Sequence, residues 1–177
     1  MDISTSQMAG FQSILIIGAS GSIGKVLINE LQKEPGFTVT ILQRATSKFQ
    51  PPANVKLITI QDSYPTDSLV TAFKGQDAII NCMTTLSVAE QFRMVDAARA
   101  AGVRRYVPSE YGLKNARLDA QAPNTVFYDK GKVQEYLQAK AAEGSIEWMS
   151  IACGMWLKWG MAHDFVGMHI QEKRFVF

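Results

Sequence analysis

The chain is poor in the residues that staple small secreted proteins and build metal sites. Cys82 and Cys153 are its two cysteines, too few for a disulfide framework, and both sit in apolar, strand-like stretches that read as core thiols. His163 and His169 lie six positions apart without a Cys or acidic partner at ligand spacing, so no metal site is expected. No run of like charges occurs, and a net charge of +2 is too small to point to nucleic acid. No apolar run approaches the roughly 20 residues of a membrane span. The N-terminus has neither the basic start nor the apolar stretch of a secretory signal, which makes a reducing, cytoplasmic compartment the expectation. Repeats and low-complexity tracts are absent.

What is present describes a soluble globular protein. The 177 residues are enough for a sizeable core, and 47% hydrophobic against 19% charged residues argues against disorder. The organising stretch is Ser13 to Gly24. A β-branched run, Ile14 to Ile17, suits a strand buried on both faces of a parallel sheet. Gly18, Gly21 and Gly24 follow, with Ala19, Ser20, Ser22 and Ile23 between them, and an amphipathic helix marked by Val26, Leu27 and Leu31 comes next. Glycines between a buried strand and a helix permit a tight turn and close approach of a pyrophosphate to the helix N-terminus, where N–H groups and the dipole favour anions. Gly18 to Gly24 therefore reads as a dinucleotide-binding loop.

Thr38 to Leu42 reads as the second strand, followed by Gln43-Arg44-Ala45-Thr46-Ser47-Lys48. An NAD site would place an acid here for the ribose hydroxyls, but none occurs between Gly36 and Asp62. Arg44 and Lys48 instead offer positive charge for a 2′-phosphate, which favours NADP over NAD. Further strands are expected at Val55–Ile60, Ala78–Met83, Arg105–Val107 and Ile146–Ile151, and helices at about Thr66–Lys74, from a Ser87/Glu90 capping box to Ala101, and at about Val126–Ala142. Strict alternation of strand and helix predicts an α/β, doubly wound parallel sheet of Rossmann type, with ligand across the carboxyl ends of the strands. The long polar connection Leu113–Thr125 is a candidate functional loop.

Two blocks carry a family resemblance: Gly18-Ala19-Ser20-Gly21-Ser22-Ile23-Gly24, and Ala100-Ala101-Gly102-Val103-Arg104-Arg105-Tyr106-Val107-Pro108-Ser109-Glu110-Tyr111-Gly112. With them the chain resembles the NmrA-like, isoflavone-reductase-like group of atypical short-chain dehydrogenases, over nearly its whole length. The resemblance puts Arg44 at the arginine that such proteins use for NADP. It implies an NADPH-dependent reductase of small, often aromatic carbonyl or conjugated-alkene compounds, with one catalytic lysine on the helix after the fifth strand. A non-catalytic NADP(H)-sensing protein that regulates a partner is the alternative, because binding a dinucleotide does not require reducing anything. Members of this group are usually longer. Residues 1–153 are accordingly expected to form the cofactor domain and 154–177 the start of a truncated substrate-binding region, whose Trp156, Trp159, Met161 and Phe165 leave an apolar patch that a homodimer would cover.

Two readings of the lysine compete. Tyr128 and Lys132 form the Tyr-x-x-x-Lys pair of ordinary short-chain dehydrogenases, which Ser109 would complete, whereas Phe127-Tyr128-Asp129-Lys130 resembles the reductase group's own pattern. At about 100° per residue, Lys130 lies roughly 45° from the centre of the stripe Val133, Tyr136, Leu137, Ala141, and Lys132 about 115° away. Rotation therefore favours Lys130.

Overall fold

A computed structural model of the chain describes residues 10–84, 88–112, 125–154, 156–163, 167–169 and 172–176. Six parallel strands run β1 (Ser13–Ile17), β2 (Thr38–Arg44), β3 (Lys56–Ile60), β4 (Ala78–Asn81), β5 (Arg105–Val107) and β6 (Glu147–Trp148) along the chain. Across the sheet the order is β3-β2-β1-β4-β5-β6, so the chain winds outward from β1 first to one side and then from β4 to the other. A crevice opens at that switch point, above the carboxyl ends of β1 and β4.

The strands at the centre are apolar throughout because both faces are covered. Leu15 and Ile17 pack with Leu42, Phe73, Ile79 and Met94 on one face, and Ile14 and Ile16 pack with Ile28, Val39 and Ile41 on the other. The first face receives helices α2 (Thr66–Phe73), α3 (Glu90–Ala100) and α4 (Thr125–Ala142). The second receives α1 (Ser22–Leu31) through Ile28, Leu27 and Leu31. Each such side chain removed from water contributes about 1.5–3 kcal/mol.

Several expectations change in detail. No helix joins β2 to β3: an irregular crossover supplies Phe49 and Val55 to the core instead. β6 pairs over two residues only, Arg105 with Glu147 and Tyr106 with Trp148, and Met149 and Ile151 beyond it are exposed. Cys153, expected in the core, is exposed. Ser87 lies outside the described residues, and α3 starts from Ala89 without a side-chain cap. The Leu113–Thr125 connection also lies outside them, apart from Thr125, which begins α4. After β6 come a short helix α5 (Leu157–Ala162) and an antiparallel pair, β7 (Met168–His169) with β8 (Arg174–Phe175), none of which the sequence pattern predicted.

At the amino ends of the central strands, opposite the crevice, Asp77 joins β1 to β4. Its Oδ2 accepts the backbone N–H groups of Ser13 at 2.8 Å and Gln12 at 2.9 Å. These bonds hold its carboxyl below the ordinary aspartate range. Asp77→Ala is expected to cost about 1–2 kcal/mol in urea unfolding at neutral pH, as for charge-assisted bonds at a part-exposed site. A depressed carboxyl contributes its stability fully above the unfolded value, near pH 4, and loses it as pH falls through the lower native value. The gap between wild type and variant should therefore narrow in strong acid.

Candidate functional site

β1 ends in Gly18, whose φ of +80° is left-handed and which turns the chain against the end of β4. A Cβ at Gly18 would lie 2.5 Å from the Cys82 carbonyl carbon and 2.8 Å from the Met83 nitrogen. A Cβ at Gly24 would lie 2.5 Å from the Gly18 oxygen and 2.7 Å from the Ala19 Cα, so glycine there lets α1 rest directly on the turn. Gly21 differs, because its nearest protein atom would be 3.4 Å from a Cβ. The protein's own packing does not require glycine at that position. Gly21 is also the N-cap of α1, which has no side-chain cap and no acidic residue in its first turn. Such a helix start is available to an anion.

In front of this loop lies a cleft of about 500 Å³, bounded by the glycine turn, the end of β2 and the end of β4. Gly18, Ala19, Ser20 and Gly21 line it, as do Arg44, Ser47 and Lys48. Ser22, Ile23 and Gly24 belong to the first turn of α1 and do not line the cleft. Arg44 is the last residue of β2, and the loop beyond it is braced from two sides. Ser47 donates its N–H to the Arg44 carbonyl at 3.0 Å. The Asp62 carboxylate accepts the Thr46 N–H at 3.2 Å and the Thr46 hydroxyl. The Thr46 hydroxyl is the main reason that the Asp62 carboxyl lies below the ordinary range. Among the residues lining the cleft none is acidic, and three are cationic: Lys25, Arg44 and Lys48.

Sequence reasoning passed over Lys25, Phe49 and Tyr64. Lys25 directly follows the third glycine, one turn inside α1, a placement that opposes the helix dipole and was a readable signal. Tyr64 is buried at a φ of +49° and reaches the cleft wall from the turn after β3, which no local pattern announces.

Lys130 does not line this cleft but bonds the loop after β5, which Ser109 ties to Met83 on the cleft wall. It faces inward from α4 and is 7% exposed, as the helical rotation requires, and its Nζ donates to the Glu110 carbonyl at 3.2 Å. Burial lowers its proton affinity, against which the Glu110 charge raises it. The Tyr128–Lys132 pair is not assembled toward the cleft. Both side chains are exposed, and the Lys132 ammonium sits 4.3 Å from the Tyr128 ring centroid. Ser109 is committed as well, its hydroxyl donating to the Met83 carbonyl at 2.7 Å and its N–H to Gln91 at 2.9 Å. That hydroxyl ties the loop after β5 to a residue of the cleft wall. Tyr111 lies against Cys82 of the cleft lining, its hydroxyl 3.5 Å from the Cys82 sulfur, and burial pushes the Cys82 thiol up to about 11.

The strand order, the uncapped helix start and the cation-lined crevice define a Rossmann-type α/β domain. The sequence profile of the NmrA-like family matches residues 11–170, and the chain belongs to that family. It is 35% identical over 162 residues to the oxidoreductase aprR of Aspergillus flavus, covering 90% of this chain and 54% of that protein. It is 32% identical over 145 residues to the phenylcoumaran benzylic ether reductase Betv6 of Betula pendula, covering 75% and 46%. The chain thus spans about half the length of the curated relatives it matches. Among solved structures it is similar to an isoflavone reductase, with a TM-score of 0.70 at 25% identity over 86% of this chain and 52% of that one. The leucoanthocyanidin reductase–NADPH complex of Vitis vinifera shares the fold, with a TM-score of 0.62 at 21% identity over 79% of this chain and 49% of that one.

Proposed function

We propose that the chain binds NADP(H) in the switch-point cleft and belongs to an NADPH-dependent reductase acting on a small carbonyl or conjugated alkene, aromatic ones included. The observation that carries this reading is the joining, in one cleft without an acidic lining residue, of the glycine turn with Arg44 and Lys48. Oxidoreductase and reductase relatives, and the NADPH complex of a reductase with this fold, support it.

The residues fit the group. Gly21 leaves room where a pyrophosphate would approach the start of α1, with Ala19, Ser20, Ser22 and Ile23 completing the turn between Gly18 and Gly24. Arg44 would hold the 2′-phosphate through its planar fork, and Lys48 would add a point charge. When bound, NADPH supplies the hydride. The protein's tasks are to orient it, to exclude water, and to hold or move a proton at Lys130 Nζ. Lys130→Ala is expected to abolish NADPH oxidation against aromatic carbonyl and alkene substrates while leaving NADPH affinity unchanged by calorimetry. Unchanged turnover, or loss of binding together with turnover, would remove Lys130 from this role.

In the same reading, residues 1–153 are the cofactor domain and 154–177 begin the substrate-binding part. Leu157, Trp159 and Met161 of α5 are exposed apolar side chains. Light scattering is expected to find a homodimer covering them or, failing that, a monomer that binds NADPH with little turnover; a monomer turning over briskly would contradict this. We assign the protein to the cytoplasm, where Cys82 and Cys153 stay free thiols.

A further inference from the structure

Two charged side chains stand among the buried polar residues described, Glu110 at 2% exposure and Lys130 at 7%. Either charge alone would be costly to remove from water, and opposite charges brought together offset part of that cost. The two residues meet through the backbone. The Lys130 ammonium donates to the Glu110 backbone carbonyl at 3.2 Å, from α4 to the loop after β5. The loop is itself fixed, since Ser109 bonds Gln91 and Met83 and the Tyr111 carbonyl accepts the Trp156 indole N–H. The carbonyl that receives the lysine is therefore held in register with Met83 on the cleft wall.

We propose that Glu110 is the positioning residue for Lys130: its carbonyl fixes the place of the ammonium, and its buried carboxylate keeps that ammonium charged, the state able to donate a proton. This rests on the reading of Lys130 as the proton-handling group. Two influences oppose each other at Lys130, burial favouring the neutral amine and the Glu110 charge favouring the ammonium. Among the described residues, the other titratable groups nearby leave this balance to Glu110. Asp129 and Lys132, on α4 itself, are exposed. Tyr106 on β5, Tyr111 on the loop and Cys82 after β4 are kept neutral by burial. On α3, Asp96 bonds Tyr136, and Arg99 bonds Ser145 and Glu143.

The test is an NMR titration of the chain labelled with ¹³Cε-lysine, the Lys130 signal being assigned by its loss in Lys130→Arg. In the wild type that signal should titrate below the ordinary lysine range yet above neutrality. In Glu110→Gln, which keeps the size of the side chain and the backbone carbonyl, the midpoint should fall by about one pH unit, a tenfold loss of proton affinity. Glu110→Asp, which keeps the charge, should stay close to wild type. An unmoved midpoint in Glu110→Gln, equal shifts in the two variants, or a wild-type Lys130 already neutral at pH 7 would each overturn the proposal. The last outcome needs no Glu110 variant to fold. Turnover is not the readout, so a failure of Lys130 as proton donor would show in the Lys130→Ala assay and a failure of Glu110 in the titration.

Discussion

Gly18→Ala is expected to destabilise the fold by about 2–5 kcal/mol, whereas Gly21→Ala leaves it folded and weakens NADPH binding at least about tenfold. At Gly18 two costs add. A non-glycine residue at positive φ costs about 1–2 kcal/mol, and a Cβ within 2.5–2.8 Å of the Cys82–Met83 backbone forces β1 and β4 apart. Overpacking of that kind adds about 1–3 kcal/mol. Together they come to about 2–5 kcal/mol, a large share of a domain stability of about 5–15 kcal/mol. At Gly21 the nearest protein atom is 3.4 Å from the added carbon, and φ is −74°, so the fold tolerates alanine. The methyl group would instead occupy the approach to the α1 start, and NADPH affinity should fall at least about tenfold, or 1.4 kcal/mol. Thermal unfolding beside calorimetry separates the two. Equal stability losses at both positions would mean that the open side of Gly21 is not a ligand surface.

The second large effect is expected at Arg44. Charge-assisted hydrogen bonds contribute about 1.5–3 kcal/mol each, so Arg44→Ala should weaken NADPH binding by about 10- to 100-fold. NADH has no 2′-phosphate and should lose little. The preference for NADPH should therefore nearly vanish, with Lys48 and Lys25 supplying what remains. Arg44 is exposed at the end of β2, so stability should change little. If both cofactors weakened alike, Arg44 would be holding the loop rather than the phosphate.

The glycine turn, the central strands and the cation pair were legible because each rests on local chemistry. Ile14 to Ile17 is a continuous apolar run since a central parallel strand is covered on both faces. The inward face of Lys130 followed from helical rotation alone. What the sequence hid depends on distant partners. The run Ile146–Ile151 has strand composition, yet it lies at the sheet's edge and β6 stops at Trp148. Cys153 shares that apolar context and is exposed for the same reason. Tyr64 reaches the cleft because the turn after β3 carries it there, and Glu110 meets Lys130 because the loop after β5 is fixed by Gln91, Met83 and Trp156. Neither juxtaposition has a spacing in the sequence.

The most direct test of the central claim is calorimetric titration of the unaltered chain with NADPH and, separately, with NADH. The cleft described here predicts one saturable site per chain that binds NADPH at least about tenfold more tightly than NADH. Equal affinities, or no heat from either cofactor, would contradict the assignment of the switch-point cleft to NADP(H).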